Sequence, residues 1–348
     1  MAENEPAPTR ADEPWRDDTS IPVTIAYIAE SAGVSAPTVS KVINGRSGVS
    51  PETRARIEDL IKRHGYRKTP VNRGKVLELV FRELQSMWAV EIIRGVEQVA
   101  RLNRVGLLVS VFGLESSGAA VWDDTIARRP QCVLSVAQLS TVERDELRAK
   151  GIPFVVFDPT IELPSDVPYV GATNWTGGRM ATRHLIELGH QRIAMISGLD
   201  HFLCFRARQD GYRAAMAAHS LPVPPDRVVR AHPTREDGYQ AAAALLAQAE
   251  RPTAIFASND CQALGVYQAA REAGLRIPDD LSVVGFDDLP VAAWADPPLT
   301  TVRQPLTDMA REAAELALAL GRGQNVSRIG FEIATTLTVR ASTATPKT

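Results

Sequence analysis

Residues 23–67 read VTIAYIAESAGVSAPTVSKVINGRSGVSPETRARIEDLIKRHGYR, and the punctuation of this stretch defines three short helices. Thr24 opens the first. Its apolar residues Ile25, Ile28, Ala29 and Ala32 fall on one face at i, i+3, i+4 and i+7. Gly33 ends it, supplying the left-handed residue that a tight turn needs. Ser35 caps a second helix, with Pro37 tolerated in its first turn and Val39, Val42 and Ile43 turned inward. Asn44-Gly45 stops it. Ser50 caps a third helix with Pro51 at its first position, Ile57, Leu60 and Ile61 facing inward, and Gly65 closing it.

Three short helices with a glycine turn between the first two make a helix-turn-helix, which lays its second helix in the DNA major groove. The outward residues of that helix are Ala36, Pro37, Ser40 and Lys41. Ser and Lys reach base edges or phosphates, and Ala and Pro offer apolar contact. Arg54, Arg56, Lys62 and Arg67 can hold phosphates. Charge supports this reading over a plain packing domain. Residues 1–20 hold six acids and two bases, whereas residues 21–75 hold ten bases and four acids. A basic module thus sits in a chain whose net charge is −2, an asymmetry that points to a polyanion partner.

Around the module, residues 1–20 are polar, acidic and Pro-containing, and read as a disordered tail. Residues 68–75 are a short basic hinge or linker. From Val76 the texture changes. Apolar runs such as VLELVF (76–81), PFVVF (153–157), RIAMIS (192–197), TAIFAS (253–258) and LSVVGF (281–286) alternate with amphipathic stretches. That alternation indicates buried parallel sheets with crossover helices. Its length favours two α/β lobes over one.

The three-helix stretch resembles the DNA-binding headpiece of the lactose/galactose-repressor (LacI/GalR) family. The match rests on Thr24, Ala29, Ala32-Gly33-Val34-Ser35, Thr38-Val39-Ser40, Asn44, Val49-Ser50, Thr53 and Gly65-Tyr66. The resemblance implies phosphate contacts from Thr24, Ser35, Thr38, Ser40, Asn44 and Thr53, and operator reading by Ala36, Pro37 and Lys41. In the headpiece and hinge the chain departs from the family twice. Tyr27 stands where the family carries an acid, so the capping box of helix 1 is lost. Residues 69–75 (TPVNRGK) lack the Leu that wedges into the minor groove. Arg73 and Lys75 are the groups left there to grip phosphate.

GRMATRHL, LIELGHQRIAMISG and ASNDCQALGVYQAAREAGLRIPDDLSVVGFDDLPVAAWADPPLTTVRQP extend the resemblance through the body, to roughly residue 341. The implied fold is an all-α helix-turn-helix headpiece plus an α/β two-lobed, periplasmic-binding-protein-like core with parallel sheets. The lobes are expected over 76–173 with 304–329, and over 174–303 with 330–341, with 342–348 a tail. Such sheets bind ligands at strand C-terminal ends. There the chain places Glu83 to Trp88, Asp158, Asn174-Trp175, Arg206 and Arg208, Asn259-Asp260 and Asp287-Asp288. Carboxylates, amides and a guanidinium beside aromatics suit a sugar. The resemblance assigns effector contacts to Trp88, Asp158, Asn174, Arg208, Asn259 and Asp287, with Trp175, Phe202 and Trp294 weaker additions. Near Pro233, where many members carry an aromatic, this chain reads AHPTRED, with His232 as a substitute.

The expectation is a sequence-specific DNA-binding transcriptional regulator, a repressor released by a sugar in the interlobe cleft. It binds a pseudo-palindromic double-stranded DNA operator as a homodimer. The alternatives are a sugar-binding protein without operator function and a purine corepressor-dependent regulator. An enzyme is disfavoured: there is no Walker loop, G-x-G-x-x-G or G-x-S-x-G, and the adjacent Asp287 and Asp288 point apart. No cofactor and no metal are expected. No run of 18 apolar residues suggests a membrane span, and the acidic N-terminus is no export signal. Cys132, Cys204 and Cys261 are few and widely spaced, as in a reducing cytoplasm.

Overall fold

The computed structural model describes residues 24–43, 47–64, 74–84, 87–112 and 119–347. The chain divides into two units, residues 1–72 and 73–348.

In the first unit, helices α1 (Ile25–Ala32), α2 (Ala36–Ile43) and α3 (Pro51–Arg63) enclose a small core of Ile28, Ala29, Ala32, Val39, Val42 and Ile57. Their ends follow the sequence signals. The Thr24 hydroxyl accepts from the Tyr27 amide at 3.2 Å, so the helix keeps a single cap although its acid is gone. Tyr27 instead sets its ring edge-on to His64 at 5.3 Å, which ties α1 to the end of α3. Gly33 adopts φ +64°, the left-handed conformation its position demands. The Ser50 hydroxyl accepts from the Thr53 amide at 3.2 Å and opens α3. Helix α3 closes on His64. The expected stop at Asn44-Gly45, Gly65, the tail 1–20 and most of the hinge 68–75 lie outside the described residues.

The second unit contains two six-stranded sheets. The first takes β1 (Gly74–Phe81), β2 (Gly106–Val111), β3 (Pro130–Ser135), β4 (Phe154–Phe157), β5 (Tyr169–Ala172) and β11 (Gly330–Ile333), in the order β11-β5-β4-β3-β1-β2. All its pairings are parallel. The second takes β6 (Ile193–Ser197), β7 (Val228–Arg230), β8 (Ala254–Ala257), β9 (Ser282–Asp287), β10 (Thr300–Arg303) and β12 (Thr336–Thr338), in the order β12-β10-β9-β8-β6-β7. It is parallel except where β12 runs against β10. The inner strands are buried on both faces, which is why they read as unbroken apolar runs.

Helices cover the sheets. In the first lobe these are α4 (Met87–Leu102), α5 (Ala119–Arg128) and α6 (Thr141–Ala149). In the second they are α7 (Asn174–Glu187), α8 (Leu203–Ala218), α9 (Arg235–Leu246), α10 (Asp260–Glu272) and the short α11 (Pro290–Trp294). Helix α12 (Leu306–Gly321) returns to the first lobe and buries Met309, Ala313 and Ala317 against α4 and the sheet.

The chain crosses between lobes three times, after β5, after β10 and between β11 and β12. The last crossing falls at residues 334–335. The segment 330–333, expected in the second lobe, therefore pairs beside β5 in the first. Edge strands this short take their place from the partner they extend, a signal absent from their own residues. At two crossings Thr173 and Thr335 are stitched together: the Thr335 amide donates to the Thr173 hydroxyl at 3.0 Å, and the two hydroxyls lie 3.1 Å apart. Residues 342–347, expected as a tail, lie along the second sheet. Ser342 is fully buried, donating to the Val283 carbonyl at 2.6 Å and accepting from the Thr300 amide at 2.8 Å.

Candidate functional site

The residues expected to read DNA belong to the headpiece. Ser35, just before α2, and Ala36, Pro37 and Lys41 on it are exposed, while Thr38 and Ser40 are half-buried. The Ser35 and Thr38 hydroxyls lie 2.9 Å apart at the start of α2, and Thr24 and Thr53 stand in the first turns of α1 and α3. Helix N-termini and their capping hydroxyls are suited to phosphate. Asn44 and Arg73 lie outside the described residues.

The second site is a buried cluster where strand ends of both lobes meet. At its centre is Arg208, only 3% exposed on α8. Its Nε donates to Asn174 Oδ1 at 2.8 Å, its Nη1 to the Ser258 carbonyl at 2.7 Å, and its Nη2 to Gln304 Oε1 at 3.1 Å. Nη2 also lies 3.6 Å from Asp287 Oδ1. The guanidinium sits 3.6 Å from the ring centre of Phe286 and 5.5 Å from that of Phe205, a cation–π arrangement. Gln304 also donates to Asp158 Oδ2 at 3.4 Å. Four expected residues (Asp158, Asn174, Arg208 and Asp287) thus converge on one network.

The backbone has to be shaped for this. Asp158, Asp287 and Asp288 follow or end β4 and β9 with φ of +44°, +109° and +56°. Such conformations cost about 1–3 kcal/mol each in non-glycine residues and persist where their surroundings hold them. Asp288 is held by Arg340 at 2.7 Å and by the Thr338 hydroxyl at 3.2 Å. Arg208 is brought close by tight packing of α7 on α8. A Cβ on Gly178 would meet the Arg208 carbonyl oxygen at 2.1 Å, and one on Gly211 would meet the Trp175 carbonyl oxygen at 2.1 Å.

Asn259 does a different job: its Oδ1 accepts from the Gln262 amide at 2.7 Å, capping α10, and its Nδ2 donates to the Pro233 carbonyl at 3.0 Å. Trp88 is half-buried with its ring edge-on to Phe157 at 5.9 Å, next to Asp158. Among the weaker expectations, Trp175 is 44% and Trp294 72% exposed, and Phe202 stacks near His201 at 4.1 Å. Arg206 and His232 are exposed.

The electrostatics are those of acids out of water. Burial raises the Asp158 carboxyl above its usual range although Arg208 pulls it down. Burial raises Asp287 to about 7, against the pull of Arg208 and with a push from Asp158. The Cys204 thiol, close to all three, is pushed up to about 12, chiefly by burial, and is no nucleophile at neutral pH.

Sequence reasoning missed Gln304, the Ser258 carbonyl, Cys204 and the Phe286 ring. Only Gln304 left a trace, as a lone amide between β10 and Pro305 in a crossing segment. Beside the cluster opens a cavity of about 240 Å³. Asp287 and Gln304 form part of its wall, together with Glu91 and Arg94 of α4 and with Arg303 and Arg340. Among the described residues no three His, Cys, Asp or Glu side chains are placed to hold a metal, and no helix is long and apolar enough to cross a membrane.

A headpiece built to enter a DNA groove and a two-lobed core with a polar cluster between its lobes define a ligand-responsive DNA-binding regulator. Comparison with known proteins agrees. Residues 24–69 match the family of bacterial regulatory proteins, lacI family, and residues 182–343 match the periplasmic binding protein-like domain. Catabolite control protein A of Priestia megaterium is 31% identical over 303 residues, covering 84% of this chain and 91% of that one. A solved transcriptional regulator CelR–cellobiose complex has a TM-score of 0.72 at 32% identity, covering 92% of this chain and 99% of that one. The lac repressor dimer bound to operator and an anti-inducer has a TM-score of 0.69 at 26% identity, covering 93% of this chain and all of that one. The chain belongs to the LacI family of transcriptional regulators.

Proposed function

We propose that this regulator represses carbohydrate-utilisation genes from the cytoplasm. In this reading it holds a pseudo-palindromic operator as a homodimer and releases it when a sugar occupies the interlobe cleft. The observation that carries the ligand half is the convergence of Asp158, Asn174, Arg208, Asp287 and Gln304 on one buried network drawn from both lobes. Carboxylates and amides supply what sugar hydroxyls pair with, and Trp88 beside Phe157 supplies an apolar face. The similarity to a cellobiose-bound regulator supports the same reading. For the DNA half, Ala36, Pro37 and Lys41 on the exposed face of α2 read bases, and Thr24, Ser35, Thr38, Ser40 and Thr53 hold phosphates.

Coupling follows from the three crossings. A ligand that binds one lobe arrangement better than the other shifts the population between them, and its effect on DNA affinity equals that difference. The test is selection of bound genomic fragments at fixed salt, repeated with a panel of neutral mono- and disaccharides and with purines. Recovery of one palindromic site, released by a sugar, is the expected result. Tighter binding in the presence of a purine, or no preference over bulk DNA, would overturn it.

A further inference from the structure

Two buried carboxylates of the network share one guanidinium, and a third is buried behind them against β9. Asp158 and Asp287 flank Arg208. The third, Asp260, is 0% exposed at the start of α10. It accepts from the Thr301 hydroxyl at 2.6 Å and from the Leu289 amide at 2.8 Å. It can press this close to β9 because residue 285 is glycine: a Cβ there would lie 2.4 Å from Asp260 Oδ1. Asp260 thereby clamps the segment that follows Asp287 at the end of β9, and its negative charge repels that of Asp287.

The positive side of the balance is already committed. Every nitrogen of Arg208 is engaged by Asn174, Ser258 or Gln304, and the rings of Phe286 and Phe205 lie against the guanidinium. Arg206, two residues along α8, is exposed and lies on the far side of that helix from Arg208. In the adjoining cavity Arg94 pairs with Glu91, Arg340 with Asp288 and Asp308 with Arg311, while Arg303 stands exposed to solvent at its wall, outside the buried network.

We infer that the cleft takes an uncharged polyhydroxyl ligand and rejects the same sugar carrying a phosphate. The inference rests on the sugar reading above. A hydroxyl donates to Asp158 or Asp287 and accepts from an amide in one stroke. A phosphate brought into the same space adds negative charge where Asp158 and Asp287 already share one guanidinium, Asp260 stands behind Asp287, and water is excluded. Burial holds the Asp158, Asp260 and Asp287 carboxyls above their usual range, and Asp158 and Asp287 add a like-charge push on Asp287 and Asp260 respectively, so this space already disfavours negative charge.

The experiment is calorimetric titration of the full chain at pH 7.5 with glucose, ribose and cellobiose. Glucose 6-phosphate, ribose 5-phosphate, cellobiose 6′-phosphate and 6-O-methylglucose are then titrated in the same buffer. The expected result is binding of a neutral sugar, with its phosphate ester weaker by about tenfold or more, the equivalent of one unit of pKa. The methyl ether, which adds bulk without charge, keeps most of the affinity. A phosphate ester that binds as tightly as its neutral sugar overturns the inference and leaves the sugar reading standing. Loss of the methyl ether equal to loss of the phosphate also overturns it, by making the exclusion steric. Failure of every sugar and ester to bind overturns the sugar reading and this inference together.

Discussion

Gly178 on α7 touches the backbone of Arg208 on α8: a methyl group at 178 would lie 2.1 Å from the Arg208 carbonyl oxygen. The side chain that organises the cleft therefore owes its position to a residue with no side chain, one helix away. Gly178→Ala forces the helices apart. We expect a stability loss of about 1–3 kcal/mol, the usual cost of overpacking, together with a weakened sugar response. Urea unfolding and sugar titration of the same preparation measure both. A variant with unchanged stability would show that the α7–α8 contact is slack.

Arg208 itself is the only buried cation near Asp158 and Asp287 among the described residues. Arg208→Ala leaves two acids out of water without their counter-charge. The expected loss at pH 7.5 is about 3–5 kcal/mol, typical of breaking a buried pair on one side. The loss shrinks at pH 5, where the acids take up protons. Denaturation at the two pH values separates this electrostatic cost from a simple packing defect, which would be the same at both.

Asp287 gives the wild-type chain a pH signature of its own. Its carboxyl is held up to about 7 in the folded chain, against 3.8 when unfolded. Between those values the folded state binds the proton more tightly, so stability from the neutral acid is complete below the unfolded value and is lost as pH rises through 7. Asp287→Asn fixes the neutral form and flattens that part of the profile. Thermal unfolding from pH 4 to pH 8 measures it, and equal slopes in both proteins would contradict the assignment.

Lys41 stands exposed on α2 with its Nζ reaching toward Gly48. Lys41→Ala is expected to weaken binding to the preferred operator by about 1–3 kcal/mol, the range of one good base contact. Binding to bulk DNA should change less, and sugar affinity not at all. Fluorescence anisotropy with specific and scrambled duplexes distinguishes these outcomes.

The headpiece was readable because each helix carries its own start and stop: Thr24, Gly33, Ser50 and Pro51 lie in consecutive local contexts. The inner strands were readable because burial on both faces leaves unbroken apolar runs. The network was readable as far as it is built from strand-end side chains, hence Asp158, Asn174, Arg208 and Asp287. What escaped has no local signature. Gln304 acts from an irregular crossing, and Ser258 acts through its carbonyl. Asn259 looked like a ligand contact, yet its amide is spent on the start of α10. Strands β11 and β12 are three or four residues long, and their partners decide their place.

Those two short strands also constrain how the molecule is made. β11 extends β5 in the first lobe, and β12 lies against β10 in the second. During synthesis, each sheet lacks one of its edge strands until residues 330–338 have left the ribosome, long after β1 to β5 of the first lobe have emerged. Each lobe waits with an open edge, which in a growing chain invites pairing with another copy or capture by a chaperone. A premature stop between α12 and β11 would thus cost both lobes at once, although almost every residue of the cleft would already have been translated.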